Sequence, residues 1–178
     1  MKKSTVIILV VAIVLAIYGV TIYNTLATAS QEVESAWANV ETQYQRRSDL
    51  IPNLVNTVKG YAAHELQTLE GVVAARAKAT SVTIDGANMT AEQFAQFTEA
   101  QGEVTSALGR LIAVAENYPE LKANQNFIEL QSQLEGTENR IAVERQRYNE
   151  VVKAFNKRVV TFPNNIFASL FGFSKRDF

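Results

Sequence analysis

The sequence predicts an all-α protein, an antiparallel four-helix bundle whose first helix continues from an N-terminal transmembrane helix. Three observations predict this class. Helix-favouring residues such as Ala, Glu, Gln and Leu are abundant. The 178 residues contain only three prolines and eight glycines, and apolar residues recur at steps of three and four along most of the chain. Such a pattern is typical of long, uninterrupted helices.

The N-terminal segment contains an uncharged, apolar run over residues 6–23, directly after Lys2 and Lys3. A helix of this length rises about 27 Å, close to the ~30 Å hydrocarbon core of a bilayer. A cleaved signal peptide is the rival interpretation, because Ala27-Thr28-Ala29 resembles a cleavage site. Since the run is longer than a signal sequence requires, we predict that residues 1–23 are a retained transmembrane anchor.

The flanking charges predict an orientation for this anchor. Lys2 and Lys3 precede the run, whereas no lysine or arginine follows it until Arg46. Positive charge close to a membrane span tends to stay in the cytoplasm. We therefore expect a single-pass protein with a cytoplasmic N-terminus and a helical domain, residues 24–161, on the other side of the membrane.

The first two helices are predicted from the same pattern. No proline or glycine interrupts residues 20–50, so the first helix is expected to run from the membrane into the bundle as one rod. The residues from Arg46 to Asp49 indicate the end of one helix and the start of another, with Pro52 in the first turn of the second. The second helix is then expected over residues 50–79.

The third and fourth helices have clearer boundaries. The Asp85-Gly86 pair indicates a turn, after which Thr90 and Gln93 form a capping box at the start of the third helix. This helix is expected to end before Pro119. The fourth helix is expected over residues 124–160, where the apolar positions have the spacing of a bundle seam.

The C-terminal segment, residues 162–178, is an aromatic-rich tail that contains a short amphipathic helix. Three placements remain open for it: at the membrane interface, over the end of its own bundle, or in a groove of a neighbouring subunit. The candidate contact residues toward another chain are Trp37, Tyr44, Phe162, Ile166, Phe167, Leu170, Phe171 and Phe173.

The sequence offers little catalytic chemistry. It has no cysteine and one histidine, His64, which argues against zinc sites, cysteine nucleophiles and histidine triads. Thr68 stands where an H-E-x-x-H peptidase needs its second histidine. We therefore expect no enzyme, no catalytic residue, no metal and no cofactor. A net charge of −1 gives no electrostatic reason for nucleic-acid binding.

Charged residues near the apolar stripes predict a structural polar network instead. A carboxylate such as that of Glu65, if buried, needs a cationic or hydrogen-bonding partner. The residues assigned to this network are Arg46, Asp49, His64, Glu65, Arg76, Arg140 and Arg145.

Three segments of the chain resemble the LemA family. They are AWANVETQYQRRSDLIPNLVNTVKGYAAHELQTLEGVVAARAKA (residues 36–79), YPELKANQNFIELQSQLEGTENRIAVERQRYN (residues 118–149) and FPNNIFASLFGF (residues 162–173). The resemblance covers nearly the whole chain. It implies a long-helix protein anchored in the bacterial cytoplasmic membrane, without an accepted activity or cofactor. Because some members are encoded beside membrane metalloproteases, it also implies a membrane protease as a candidate partner.

Two functions are compatible with these expectations. The favoured one is a non-enzymatic scaffold or adaptor of the bacterial cell envelope, which acts as a homo-oligomer or by contact with other membrane proteins. The alternative is a small-ligand sensor or enzyme with an inter-helix site near Tyr61, His64 and Glu65. A cavity with convergent polar groups beside His64 would favour the alternative.

Overall fold

The computed structural model describes residues 3–84, 86 and 89–176, and every regular element in them is helical. The predicted all-α class is confirmed. The helices are α1 Lys3–Lys59, α2 Leu66–Ser81, α3 Ala91–Ala115, α4 Pro119–Lys122, α5 Gln125–Val160 and α6 Asn164–Phe171. Lys2 of the orientation argument and Asp85 of the predicted turn lie outside the described residues.

The first helix, α1, is continuous over 57 residues, a length of about 85 Å at the standard rise. Its N-terminal part is long and apolar enough to cross a membrane, and it is the one such stretch in the described part of the chain. Side chains of residues 6–18 are exposed. The prediction that the apolar run and the first bundle helix form one rod is therefore confirmed.

The predicted boundary between the first two helices is wrong. The chain remains helical through Arg46, Asp49 and Pro52, and it turns only at residues 60–65. The second predicted helix is thus divided between the end of α1 and the shorter α2. The capping box of Thr90 and Gln93 is present as predicted, and α3 ends before Pro119.

A distant arginine explains how α1 accommodates an internal proline. Pro52 has no N–H to offer the carbonyl of Ser48, four residues earlier in the helix. The Nε of Arg76, on α2, donates to that oxygen at 2.8 Å. Tertiary structure thus supplies the hydrogen bond that the proline removes, and the local signal for a helix end is overruled.

We expect Arg76→Met to lower the free energy of unfolding by about 1–3 kcal/mol, because the carbonyl of the buried Ser48 loses its donor. In a Pro52→Ala background, the new amide N–H at position 52 can fill the helical hydrogen bond, and the loss should fall below about 1 kcal/mol. Denaturant unfolding followed by circular dichroism measures both. Equal losses in the two backgrounds would contradict this explanation.

The helices pack in two groups along α1. Contacts of Arg47 with Glu138 and of Trp37 with Tyr148 show that α5 runs antiparallel to α1. The α2–α3 hairpin contributes to the core around the distal part of α1, and its loop end reaches back to Trp37 through Gly86 and Phe97. Helix α6 packs between α1 and α5 near the apolar run. Helix α6 thereby returns toward the apolar run of α1.

The apolar core is divided into two clusters. The distal cluster includes α1 from Ile51 onward and α5 up to Leu134. The membrane-proximal cluster includes α1 up to Tyr44 and α5 from Ile141 onward. The buried polar residues in the described part of the chain all fall between these limits: Arg47, Ser48 and Thr137.

Candidate functional site

A polar layer separates the two apolar clusters, and it consists of Arg47, Ser48, Gln101, Thr105, Thr137 and Glu138. At its centre is Arg47, which is only 2% exposed. Its guanidinium donates to Oγ1 of Thr105 at 2.9 Å and to Oε1 of Glu138 at 2.7 Å. It also donates to the backbone and side-chain oxygens of Gln101. One side chain thus joins α1 to both α3 and α5.

Arg47 was missed by the sequence prediction, which assigned its neighbour Arg46. The buried face of α1 passes through Val40, Tyr44, Arg47 and Ile51 at steps of four, three and four. The prediction ended the helix at this point and so did not extend the spacing to Ile51. A continuous helix would have placed Arg47 among core residues and marked it as a buried charge that needs partners.

Two residues predicted to contact another chain lie inside the domain. Trp37 and Tyr44 are buried, and both rings pack against Phe97, with centroid distances of 5.4 and 5.0 Å. Burial raises the pKa of Tyr44, although the charges of the nearby Arg145 and Arg47 act in the opposite direction. Trp37 and Tyr44 are therefore core residues, a correction of the sequence-based assignment.

The other predicted network residues are dispersed. Arg46, Asp49, His64 and Arg140 are exposed, and Asp49 accepts a local hydrogen bond from Gln45 at 2.8 Å. Arg76 borders the buried layer through its bond to the carbonyl of Ser48, and Arg145 lines a small cavity together with Tyr44.

Two of the residues proposed for an alternative site, Tyr61 and Glu65, form hydrogen bonds between the turn after α1 and the segment between α3 and α5. The hydroxyl of Tyr118 donates to Glu65 at 3.1 Å, which raises the pKa of Tyr118. The hydroxyl of Tyr61 accepts from Nδ2 of Asn124 at 2.9 Å. These bonds link the turn after α1 to the corner before α5, and His64 projects outside them.

A cleft of about 200 Å³ lies between α1, α2 and α3, beside the polar layer. Ser48 and Arg76 line it, and Glu41 and Gln101 border it. The Oγ of Ser48 is buried without a hydrogen-bond partner. Nε of Arg76 is engaged with the Ser48 carbonyl, and its Nη atoms have no partner among the described residues. The two Nη atoms of Arg76, beside the unpaired hydroxyl of Ser48, can bind a carboxylate or phosphate group.

Metal chemistry has no comparable support. In the part of the chain that the structure describes, no three His, Asp or Glu side chains are grouped to hold a metal ion.

The tail helix α6 packs against the apolar run of α1. The ring of Phe167 lies 5.8 Å from that of Tyr18, and a Cβ on Gly19 would come within 3.2 Å of it. The ring of Phe171 lies 5.2 Å from that of Tyr23. Gly19 therefore leaves the space that Phe167 fills, and α6 lies at the level of residues 18–23.

The tail residues predicted as contacts divide between two faces. Phe167, Phe171 and Phe173 contact α1 of the same chain. The outward face of α6 carries Ile166 and Leu170, which are 57% and 74% exposed, and Phe162, in the turn before α6, is 75% exposed.

Arg176 fixes the chain after α6. Its backbone N–H donates to Oδ1 of Asn156 on α5, and its Nη1 donates to the carbonyl of Gly86 in the α2–α3 loop, both at 2.8 Å. Its Nη2 donates to Oγ of Ser30 at 2.8 Å and lies 3.6 Å from Glu34. Three elements of the domain thereby hold the end of the tail.

The model of the LemA family matches residues 36–178. The chain belongs to the LemA family. The matched region contains the polar layer, the cleft and the whole tail. Together with the apolar part of α1, membership in the LemA family indicates a membrane-associated protein.

Several curated proteins are similar to this LemA-family chain. The magnetosome proteins MamQ 1 and MamQ 2 of Paramagnetospirillum magneticum are 28% identical to it, over 88% of this chain and 64% of theirs. Protein LemA of Metamycoplasma hominis is 24% identical, over 82% of this chain and 63% of its own. The chain thus spans somewhat under two thirds of the length of these relatives, and none of the three names denotes an enzyme.

Proposed function

We propose that this LemA-family protein is a non-enzymatic scaffold or adaptor of the bacterial cell envelope. Residues 1–23 anchor it in the cytoplasmic membrane with the N-terminus in the cytoplasm. Residues 24–161 form an antiparallel four-helix bundle on the other side, and residues 162–178 form a separate tail. The protein acts by self-association or by contact with other membrane proteins, among which a membrane protease is one candidate.

The observation that carries this proposal is the continuity of α1. One 57-residue helix joins the apolar run to the folded domain without a flexible connection. A helix of this kind fixes the height and direction of the domain relative to the bilayer, which is what a scaffold requires. Burial of Arg47 among fixed partners supports the same proposal, because its charge maintains structure rather than facing a substrate.

A groove between α3 and α5 is the surface that suits a partner helix. Its volume is about 390 Å³, and its apolar lining includes Leu108, Ile112 and Leu134. Gly109 also lines it, and a Cβ at this position would meet nothing within 4 Å. A glycine inside a helix costs about 1 kcal/mol relative to alanine. Since the chain itself does not use this space, we assign the groove to close approach by a helix of a second copy.

We expect Gly109→Ala to raise the stability of the monomer by about 0.5–1 kcal/mol and to weaken association, because the added methyl group obstructs the groove. The absence of native cysteine allows clean cross-linking. An Ile112→Cys variant should form cross-linked dimers in membranes, whereas Val143→Cys, on an exposed part of α5, should not. Adding Gly109→Ala should reduce the dimers at position 112.

Gly71→Ala is the matched control, because Gly71 is also inside a helix, also meets open space, and lies outside the groove. It should stabilise the protein equally and leave cross-linking unchanged. Equal cross-linking at positions 112 and 143 would remove the groove from the proposal. A protein that cross-links at neither position and co-purifies with no membrane protein would contradict the scaffold function itself.

The cleft beside Arg76 supports a second candidate function, the sensing of a small anionic ligand. Its support is the buried, unpartnered hydroxyl of Ser48 next to the guanidinium of Arg76. This location replaces the inter-helix site predicted near His64. Thermal unfolding with phosphate or a small dicarboxylate tests it. A stabilisation that Arg76→Gln abolishes supports the sensor, and no stabilisation by either anion eliminates it.

A further inference from the structure

The outward face of α6 has no partner within the described chain. Phe162, Ile166 and Leu170 are more than half exposed, although each is strongly apolar. Exposed apolar patches usually mark an interaction surface. The opposite face of the same helix is already packed on α1 through Phe167 and Phe171. The inward face thus fixes the position of α6 on α1, and the outward face is left without a contact in the described chain.

The level of α6 along α1 identifies this occupant. A hydrocarbon core of ~30 Å spans about 20 helical residues. If it begins just after Lys3, it ends close to Tyr23. Contacts of α6 with Tyr18, Gly19 and Tyr23 place it within the last ~8 Å of that span. Its outward side chains therefore lie at the depth where the exposed side chains of α1 meet lipid.

The polar groups around α6 agree with a position at the boundary of the bilayer. Lys157 and Arg158 are in the last turn of α5 and are exposed, where lipid phosphates attract cations. On α6 itself, the exposed Asn165 and Ser169 flank the apolar face. Arg176 is held beside Ser30, about 10 Å farther along α1 than Tyr23 and thus on the aqueous side.

We propose that α6 is a membrane-embedded interfacial helix that inserts Ile166 and Leu170 into the outer edge of the hydrocarbon core, together with Phe162 from the turn that precedes it. It contacts the lipid on the side of the membrane that carries the helical domain. The domain is then held by two apolar elements, a spanning helix and an interfacial helix, which prevents it from tilting about α1. This property goes beyond the scaffold function and does not depend on the partner.

Spin labels at single cysteines test this proposal in the full chain, reconstituted in vesicles of phosphatidylcholine and phosphatidylglycerol. The test label replaces Leu170, which is exposed and so tolerates it. Labels at Leu15 and Val143, which are 56% and 63% exposed, serve as references for lipid and water. Collision rates with oxygen, which dissolves in lipid, and with a water-soluble nickel chelate report the surroundings of each label.

We expect the oxygen-to-nickel ratio at position 170 to lie clearly above that at position 143 and below that at position 15, as a position at the edge of the hydrocarbon core requires. A ratio equal to that at position 143 would overturn the proposal. A second result would also overturn it. If the label at position 170 collides with neither reagent, and its spectrum shows dipolar broadening that disappears when the protein is diluted with lipid, a second copy of the chain covers α6. A water-like ratio at position 15 would instead contradict the membrane anchor.

Discussion

Replacement of Glu138 by leucine is expected to lower the free energy of unfolding by about 3 kcal/mol, the lower end of the range for breaking a buried ion pair. The reason is the environment of its partner. The side chain of Arg47 is 2% exposed, whereas that of Glu138 is 39% exposed. Without Glu138, the guanidinium remains buried with only the neutral oxygens of Gln101 and Thr105.

Removal of the arginine should have a smaller effect. In Arg47→Met the remaining carboxylate of Glu138 is exposed enough to be hydrated, and the carbonyl of Gln101 still accepts from Thr105 at 3.2 Å. We expect a loss of about 1 kcal/mol. The double variant Arg47→Met with Glu138→Leu should lose no more than Arg47→Met alone, because no unpaired charge remains in the layer.

Denaturant unfolding of the three variants, compared as a double-mutant cycle, measures this asymmetry. Equal losses for the two single variants would contradict this asymmetry, and additive losses in the double variant would show that Arg47 and Glu138 contribute independently.

Trp37→Ala is expected to destabilise the domain by about 3–5 kcal/mol, the usual loss for truncation of a large buried aromatic residue. Its indole contacts the rings of Phe97 and Tyr148 at centroid distances of 5.4 and 5.3 Å. Its Nε1 is buried without a hydrogen-bond partner in the described chain. Because no hydrogen bond is lost, Trp37→Phe should cost only about 1 kcal/mol.

The α2–α3 loop provides a control for this prediction. A Cβ on Gly86 would come within 2.7 Å of Cδ1 of Trp37, so Gly86→Ala should destabilise the native protein. The same substitution should cost less in the Trp37→Ala background, where the space is open. Chemical denaturation of the four variants measures the coupling. A loss below 1 kcal/mol for Trp37→Ala would indicate that Trp37 is not a core residue.

Helix type and the continuity of the apolar run with the first bundle helix were predictable because they depend on local spacing and composition. The capping box of Thr90 and Gln93 and the end of α3 before Pro119 were predictable for the same reason. Each of these features is encoded within a few consecutive residues.

The continuation of α1 through Pro52 to Lys59 was not predictable from local signals. Pro52 normally disrupts a helix, and only a hydrogen bond from Arg76, 28 residues from Ser48 along the chain, makes it compatible with one. The same error hid Arg47, because its burial depends on helical spacing that continues beyond residue 47. Partners of Arg47 on α3 and α5 are 54 to 91 residues away in the sequence.

The sequence predicted that the tail contains an amphipathic helix, but it did not predict where that helix packs. Sequence alone left three positions open, and the contacts of Phe167 and Phe171 with α1 show that one face packs on its own chain. That placement depends on Gly19, which lies within the apolar run and has no sequence signal for a contact with the C-terminus.

One rigid helix shared by the membrane anchor and the helical domain is the basis of the proposed scaffold function. The most direct test is the distance between spin labels that replace Val20, in the apolar run, and Asn53, in the distal part of α1, measured by pulsed dipolar spectroscopy in lipid nanodiscs. A continuous helix predicts a single narrow distribution near 50 Å. A broad distribution, or one centred at a much shorter distance, would show a hinge between anchor and domain and would contradict the scaffold derived from α1.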